Sequence, residues 1–218
     1  IDAVMEGATA GKGDFTVTSA SGNAAGVVVL DGTYGANTVL GALTIGSTTA
    51  GGHLTNEDAS TMAFTTVNLI AGEAANEKAL LDLNESLTAS GGITLTQGAN
   101  AASDAVLEVS SGNALTVTGA INAAGAGSGD STIDVNTAST VATFASTIGN
   151  STAVDVIAIN TGHAKFAADV SATALTLANS AGNASFTGTA AQTFTGVITA
   201  TNGQGTLTAD NNVDLTFT

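Results

Sequence analysis

Ile93-Thr94-Leu95-Thr96 and Leu115-Thr116-Val117-Thr118 are one phrase written twice. Phe15-Thr16-Val17-Thr18 and Leu215-Thr216-Phe217-Thr218 repeat it, and Leu43-Thr44-Ile45, Leu175-Thr176-Leu177 and Thr206-Leu207-Thr208 are looser copies. Alternation at period two puts the apolar side chains on one face of a strand and the threonines on the other. The phrase therefore describes a half-buried sheet with a hydroxyl-covered outside.

Working outward, short apolar segments read as strands at 15–18, 27–30, 39–45, 62–70, 79–83, 93–96, 105–109, 115–118, 132–135, 141–144, 154–159, 164–166, 174–177, 184–187, 193–199, 206–208 and 213–217. Through much of the second half their centres fall about 10 to 12 residues apart, the spacing of an all-β sandwich, barrel or solenoid. Two such strands make a turn of roughly 20–24 residues, a suitable rung for a β-solenoid in which each unit buries its apolar face by stacking on its neighbours. The sequence thus predicts an all-β fold, a β-solenoid resembling a parallel β-helix with degenerate rungs, over 1–218 as a single repetitive domain. An antiparallel β-sandwich is the alternative, because Asn202-Gly203 between alternating segments is a strong hairpin signal.

The punctuation agrees. Gly-Asn-Ala at 22–24, 112–114 and 182–184 reads as a turn before an apolar strand, since Gly and Asn tolerate positive φ. Residues 120–129, Ala-Ile-Asn-Ala-Ala-Gly-Ala-Gly-Ser-Gly, read as a long rung loop. Within 72–84, Ala75, Ala79 and Leu83 fall at helical spacing among good helix formers, so a helical turn competes with the strand there. There is no Pro, which suits strands that keep every ladder hydrogen bond.

Composition narrows the partners. The chain has 218 residues, 18 acidic side chains against Lys12, Lys78 and Lys165, no Arg, and a formal net charge of -15. Phosphate neutralisation needs clustered Lys and Arg, so nucleic acid and anionic membrane surfaces are poor partners. No apolar stretch approaches the roughly 20 residues of a membrane helix, so no membrane insertion is expected. With no Cys, neither a disulfide nor a thiolate metal site forms. Seven Phe, one Tyr and no Trp leave a core of aliphatic side chains and Ala, which suits a narrow interior.

Catalysis has little to draw on. A Ser, His and Asp arrangement needs a histidine, and His53 and His163 both read as ordinary turn positions. A sugar cleft without Trp or Arg is a poor match to the polysaccharide lyases that share the solenoid shape, and the chain is read as a non-enzyme. Calcium is the one cofactor to weigh, because carboxylates and carbonyls in Gly/Asn-rich turns are its ligands. Candidate metal residues are Asp130 with Asp134, Asp210 with Asp214, and Glu57 with Asp58. Gly125 to Ile133 matches one nonapeptide of a repeat-in-toxin β-roll poorly, and no tandem copy follows. An ice-binding threonine array needs constant coil length, which the later Thr206/Thr208 pair breaks.

The Gly-Asn-Ala turns, Phe186-Thr187-Gly188, Phe194-Thr195-Gly196 and Gln204-Gly205-Thr206-Leu207-Thr208 resemble the β-strand-repeat surface proteins of Gram-negative bacteria, a group that includes autotransporter passenger domains and S-layer proteins. The resemblance implies an extracellular location at the bacterial cell surface and a structural or adhesive role, often with calcium holding assemblies together. The expected function is a structural subunit or segment of a surface layer or filament that associates with itself. An adhesin or phage-fibre-type binding module, with a cell-surface glycan as candidate partner, is the alternative. The chain starts at Ile1 rather than Met, and Val213, Asp214, Leu215, Thr216, Phe217 and Thr218 finish in alternation with no cap after them. Either the natural chain continues as a longer precursor, or these six residues are an assembly strand that completes a neighbouring subunit.

Overall fold

The computed structural model describes residues 2–19, 27–57, 62–178, 181–201, 205–209 and 214–218. Its strands are β1 (Asp2–Met5), β2 (Phe15–Val17), β3 (Val27–Tyr34), β4 (Leu40–Gly46), β5 (Gly52–Glu57) and β6 (Met62–Ile70). These are followed by β7 (Ala79–Leu83), β8 (Leu87–Ala89), β9 (Ile93–Thr96), β10 (Ala105–Val109), β11 (Leu115–Thr118) and β12 (Ile121–Ala124). Two long strands come next, β13 (Ser131–Phe144) and β14 (Val154–Phe166), then β15 (Val170–Leu177) and β16 (Gly182–Phe186). The last are β17 (Gln192–Ala200), β18 (Thr206–Ala209) and β19 (Leu215–Phe217).

Every pairing between these strands is parallel, and each joins one coil to the next, so the chain winds as a β-solenoid. Three faces run along it. The first stacks β1, β3, β5, β7 and β10, then the early halves of β13 and β14 and the late halves of β15 and β17. The second stacks β2, β4, the end of β6, β9 and β12, passes through Ile148, and continues into the starts of β15 and β17 and then β19. The third runs from Tyr34 through the start of β6, β8, β11, the ends of β13 and β14, β16 and β18. Parallel strands need a long crossover between them, and here the other two faces of the coil supply it.

The expected period reads differently once strands are assigned to faces. Thr94 sits on β9 and Thr116 on β11, which belong to different faces, so the step from one to the other is not a coil. One coil carries Ile93 to Ile121 and Ala79 to Ala105 in the first half, and Phe144 to Phe166 and Phe166 to Phe186 in the second. The coil tightens along the chain: the hydrogen bond between adjacent coils from Ser110 to Asp82 spans 28 residues, and that between His163 and Ser185 spans 22. The expected rung held two strands. Each coil holds three strands and three corners, and the early coils outrun that rung.

Alternation carries the packing. β7, β9, β10 and β11 are each buried at every second residue, and their Leu, Ile, Val and Ala side chains enter one continuous core running from Val17 to Phe194. From Phe144 onward a chain of Phe rings runs through the aliphatic core. Phe144 stacks on Phe166 at a centroid distance of 5.6 Å, Phe166 lies 5.4 Å from Phe186, and Phe186 meets Phe194 edge-on at 5.9 Å. Wide rings fill the interior where the coil is shortest. At the corners the chain passes close to its neighbours: Gly119 has φ +130°, and a Cβ there would strike the carbonyl of Ala89 one coil below.

Several expectations are corrected. Residues 72–84 hold no helix: a loop leads into β7, because Ala79, Leu81 and Leu83 are buried at period two and that burial outweighs helix propensity. Within the stretch read as a long loop, Ile121–Ala124 is strand β12, with Ile121 and Ala123 buried. Gly182-Asn183-Ala184 is not a turn but the start of β16. His53 and His163 stand within β5 and β14, not in turns. The antiparallel sandwich is not formed. Asp58, Asp210, Val213, the Gly22-Asn23-Ala24 turn and the Asn202-Gly203 hairpin signal lie outside the described residues.

Candidate functional site

The carboxylates have a use that composition does not reveal: they bond to the backbone of the adjacent coil. Glu6 accepts the N–H of Thr38 at 2.7 Å and that of Asn37 at 3.2 Å. Asp14 accepts Ala42 N–H at 2.8 Å, Asp104 accepts Asp130 N–H at 3.1 Å, and Asp169 accepts Thr193 N–H at 2.8 Å. Neutral Asn56, Ser86 and Asn122 do the same for Asn84, Thr116 and Ser151. Each bond spans 24 to 32 residues of chain, about one coil. At corners and in the first residues of strands some backbone N–H groups are left outside the strand ladder, and an unpaired N–H is costly; these side chains satisfy them. The Thr38 N–H holds the Glu6 carboxyl below its ordinary pKa.

On the first face three acids stack in register: Asp82 lies opposite Glu108, and Glu108 opposite Asp134. Strands in a sheet are about 4.8 Å apart, so like charges crowd. Each acid is answered by a neutral donor one coil on: Ser110 Oγ donates to Asp82, Asn136 Nδ2 to Glu108 at 2.9 Å, and Asn160 Nδ2 to Asp134 at 2.5 Å. Burial, reinforced by Glu108, pushes the Asp134 carboxyl above its ordinary pKa. Asp130 is also pushed up, by burial and by Asp104 and Asp155 on the neighbouring coils.

Of the proposed calcium ligands, Asp130 and Asp134 thus engage different neighbours, Asp130 the carboxylates of Asp104 and Asp155 and Asp134 the face stack. Among the described residues no group of three or more His, Asp or Glu is arranged to hold a metal ion. Asp214 is exposed beside β19. Glu57 and Glu85 line a shallow polar hollow of about 320 Å³ with Asn84, Ser111, Gly112 and Asn113. Lys78 pairs with Asp104 at 3.1 Å.

His163 Nε2 lies 2.6 Å from Ser185 Oγ, the geometry of a base beside a hydroxyl. Ser185 is only 4% exposed, and burial and Lys165 together lower the His163 pKa. The contact is a partly buried hydrogen bond between adjacent coils. His53 is likewise lowered by burial, and its Nε2 sits 3.3 Å from Thr55 Oγ1.

No protein-family model matches the chain. No curated protein and no solved structure matches it either. The functional reading therefore rests on the residues themselves.

The most distinctive surface lies on strands β17, β18 and β19. Val197 is 62% exposed on the first face, Leu207 39% on the third and Phe217 51% on the second. They stand on β17, β18 and β19, and among the described residues no strand covers the outer edges of β18, β19 or the late half of β17. Leu215, Thr216, Phe217 and Thr218 of the expected assembly strand are on this edge, with Thr218 N–H bonded to Phe194 O at 2.9 Å. The alternating pattern marked Phe217 and Leu207 as strand residues, and the expected assembly strand included Phe217 but neither Leu207 nor Val197. The signal available was the recurrence of Phe at 144, 166 and 186, which marks one interior column and hence the coil length.

Proposed function

We propose that this chain is a structural segment of an extracellular assembly, a surface layer or filament, which associates with itself through exposed β-strand edges. The observation that supports the reading lies on β17, β18 and β19, which carry the exposed apolar side chains Val197, Leu207 and Phe217 and on which, among the described residues, no strand covers the outer edges of β18, β19 and the late half of β17. An uncovered strand edge is a template for another strand, and parallel coils extend without changing geometry. The scarcity of Lys and Arg beside abundant Thr, Ser, Asn, Gly and Ala supports a location outside the cell. Calcium belongs to the proposal as a counter-ion for crowded carboxylates such as Asp130.

The test is sedimentation and negative-stain electron microscopy of the purified chain. Ordered polymers support the assembly; a monodisperse monomeric rod at every concentration overturns it. Unchanged assembly and melting in excess chelator removes calcium from the reading.

A further inference from the structure

The outside of the first face carries an apolar row bordered by acids. Leu80, Val106, Thr132 and Val156 lie opposite one another on successive coils. Their strand neighbours Leu81, Leu107, Ile133 and Ile157 are fully buried, so alternation turns the row outward, where all four members are partly exposed. Parallel sheets ordinarily have both faces covered, and a contiguous apolar strip on the outer face marks a contact surface.

The acids stand on both sides of the strip. Asp82, Glu108 and Asp134 come two residues after Leu80, Val106 and Thr132, and Asp104 and Asp130 come two residues before Val106 and Thr132, so all share the outer side of the sheet. Asp155 adds a further carboxylate beside Asp130. Lys78, 3.1 Å from Asp104, is the cation set among them. His53, opposite Leu80 in the same row, adds no charge at neutral pH because burial lowers its pKa. Burial and neighbouring acids hold the Asp130 and Asp134 carboxyls above their ordinary pKa, so the chain leaves this charge incompletely answered.

We infer that the strip docks a cationic amphipathic helix of another protein, lying along the solenoid axis with its apolar stripe on Leu80, Val106 and Val156 and its flanking Lys or Arg on the two rows of acids. The dimensions agree. The two rows are four residues apart along a strand, about 13 Å, and a helix with its side chains is about 10–12 Å across. From Leu80 to Val156 is three coil steps, about 14 Å at the spacing of paired strands, the length of roughly ten helical residues. A helix presents an apolar stripe with a polar border on each side, whereas an extended strand turns alternate side chains to opposite faces and lays a single row on the strip. A second copy is a poor occupant, because a chain with 18 acids and three lysines repels itself here.

The probe is a synthetic Leu/Lys peptide of about 18 residues, with its leucines on one helical stripe and lysines on both borders. A scrambled peptide of the same composition and a striped Leu/Glu peptide are the controls. Because the chain has no Cys, Thr132→Cys carries a single environment-sensitive dye in the middle of the row. The striped Leu/Lys peptide is expected to give a saturable blue shift, to become helical in circular dichroism as it binds, and to bind more weakly as salt rises. Both controls are expected to bind at least about 10-fold more weakly. Glu108→Gln and Asp130→Asn should each weaken the striped peptide roughly 2- to 5-fold, and Val106→Ser roughly 3- to 10-fold, in variants whose own circular dichroism is unchanged. Asp214→Asn, on an exposed residue of the second face, should leave the affinity as it is. Equal binding of striped and scrambled peptides, an affinity that ignores Val106→Ser, or a bound peptide that stays unhelical overturns the inference. So does a dye shift that grows with protein concentration alone, which makes a second copy the occupant, or one produced by calcium ions with none from the peptide.

Discussion

The ring of Phe166 lies stacked on that of Phe144, 5.6 Å between centroids and 18° from parallel, although the two stand on successive coils. Their strands pair in register, Phe144 opposite Phe166 and Phe166 opposite Phe186. The stack ties three coils together through the interior at the point where the solenoid narrows.

Phe166→Ala should therefore cost about 3–5 kcal/mol, as for a fully buried aromatic, measured by urea unfolding. Stability in a solenoid passes between neighbouring coils. Amide exchange should accelerate most in residues 170–200, while residues 79–109 keep their protection.

Gln192 is 3% exposed and holds three backbone groups at once. Its Oε1 accepts Gly188 N–H at 2.6 Å, and its Nε2 donates to Phe166 O at 3.1 Å and Ala168 O at 2.9 Å. Gln192→Leu keeps the volume but strands these groups, and should destabilise by about 2–4 kcal/mol. Equal stability in urea unfolding would show that the corner repairs itself.

Asp134 has its pKa raised by burial and by Glu108. The contribution of such a group is fully present below its ordinary pKa, about 3.9, and is lost as pH rises through its higher folded value. Asp134→Asn keeps an oxygen for Asn160 and removes the charge, so it should melt above the wild type at pH 7. The two proteins should converge near pH 3 in calorimetry.

Glu6 behaves in the opposite sense, since the Thr38 N–H lowers its pKa. Its contribution is present above the ordinary glutamate value, about 4.3, and is lost as pH falls through the lower folded one. Glu6→Ala should lower the melting temperature at pH 7, and the difference should close as the carboxyl is protonated. A gap that is constant with pH would mean that packing, not the charged acceptor, is what Glu6 supplies.

Much of the strand pattern was legible because alternation is local. Segments 62–70, 79–83, 93–96, 105–109 and 115–118 stand as β6, β7, β9, β10 and β11 with the expected bounds. Strands β5, β8 and β12 escaped, since Gly52-His53-Leu54, Leu87-Thr88-Ala89 and Ile121-Asn122-Ala123 are short or poor in β-branched residues. They form because the coils on either side supply ladder partners, which no local window records. The acids were legible as charge but not as acceptors of backbone N–H groups one coil away.

By itself the sequence determined that apolar and hydroxyl side chains take opposite faces of the strands, because the side-chain period of a strand is two whatever lies beside it. Only the tertiary structure decided which strands share a face. It separated Ile93-Thr94-Leu95-Thr96 from Leu115-Thr116-Val117-Thr118 by a corner, and joined Ile93 to Ile121 and Leu115 to Ala142 instead. The reason is that register is fixed by interior packing and by corner carboxylates, each acting between residues about one coil apart.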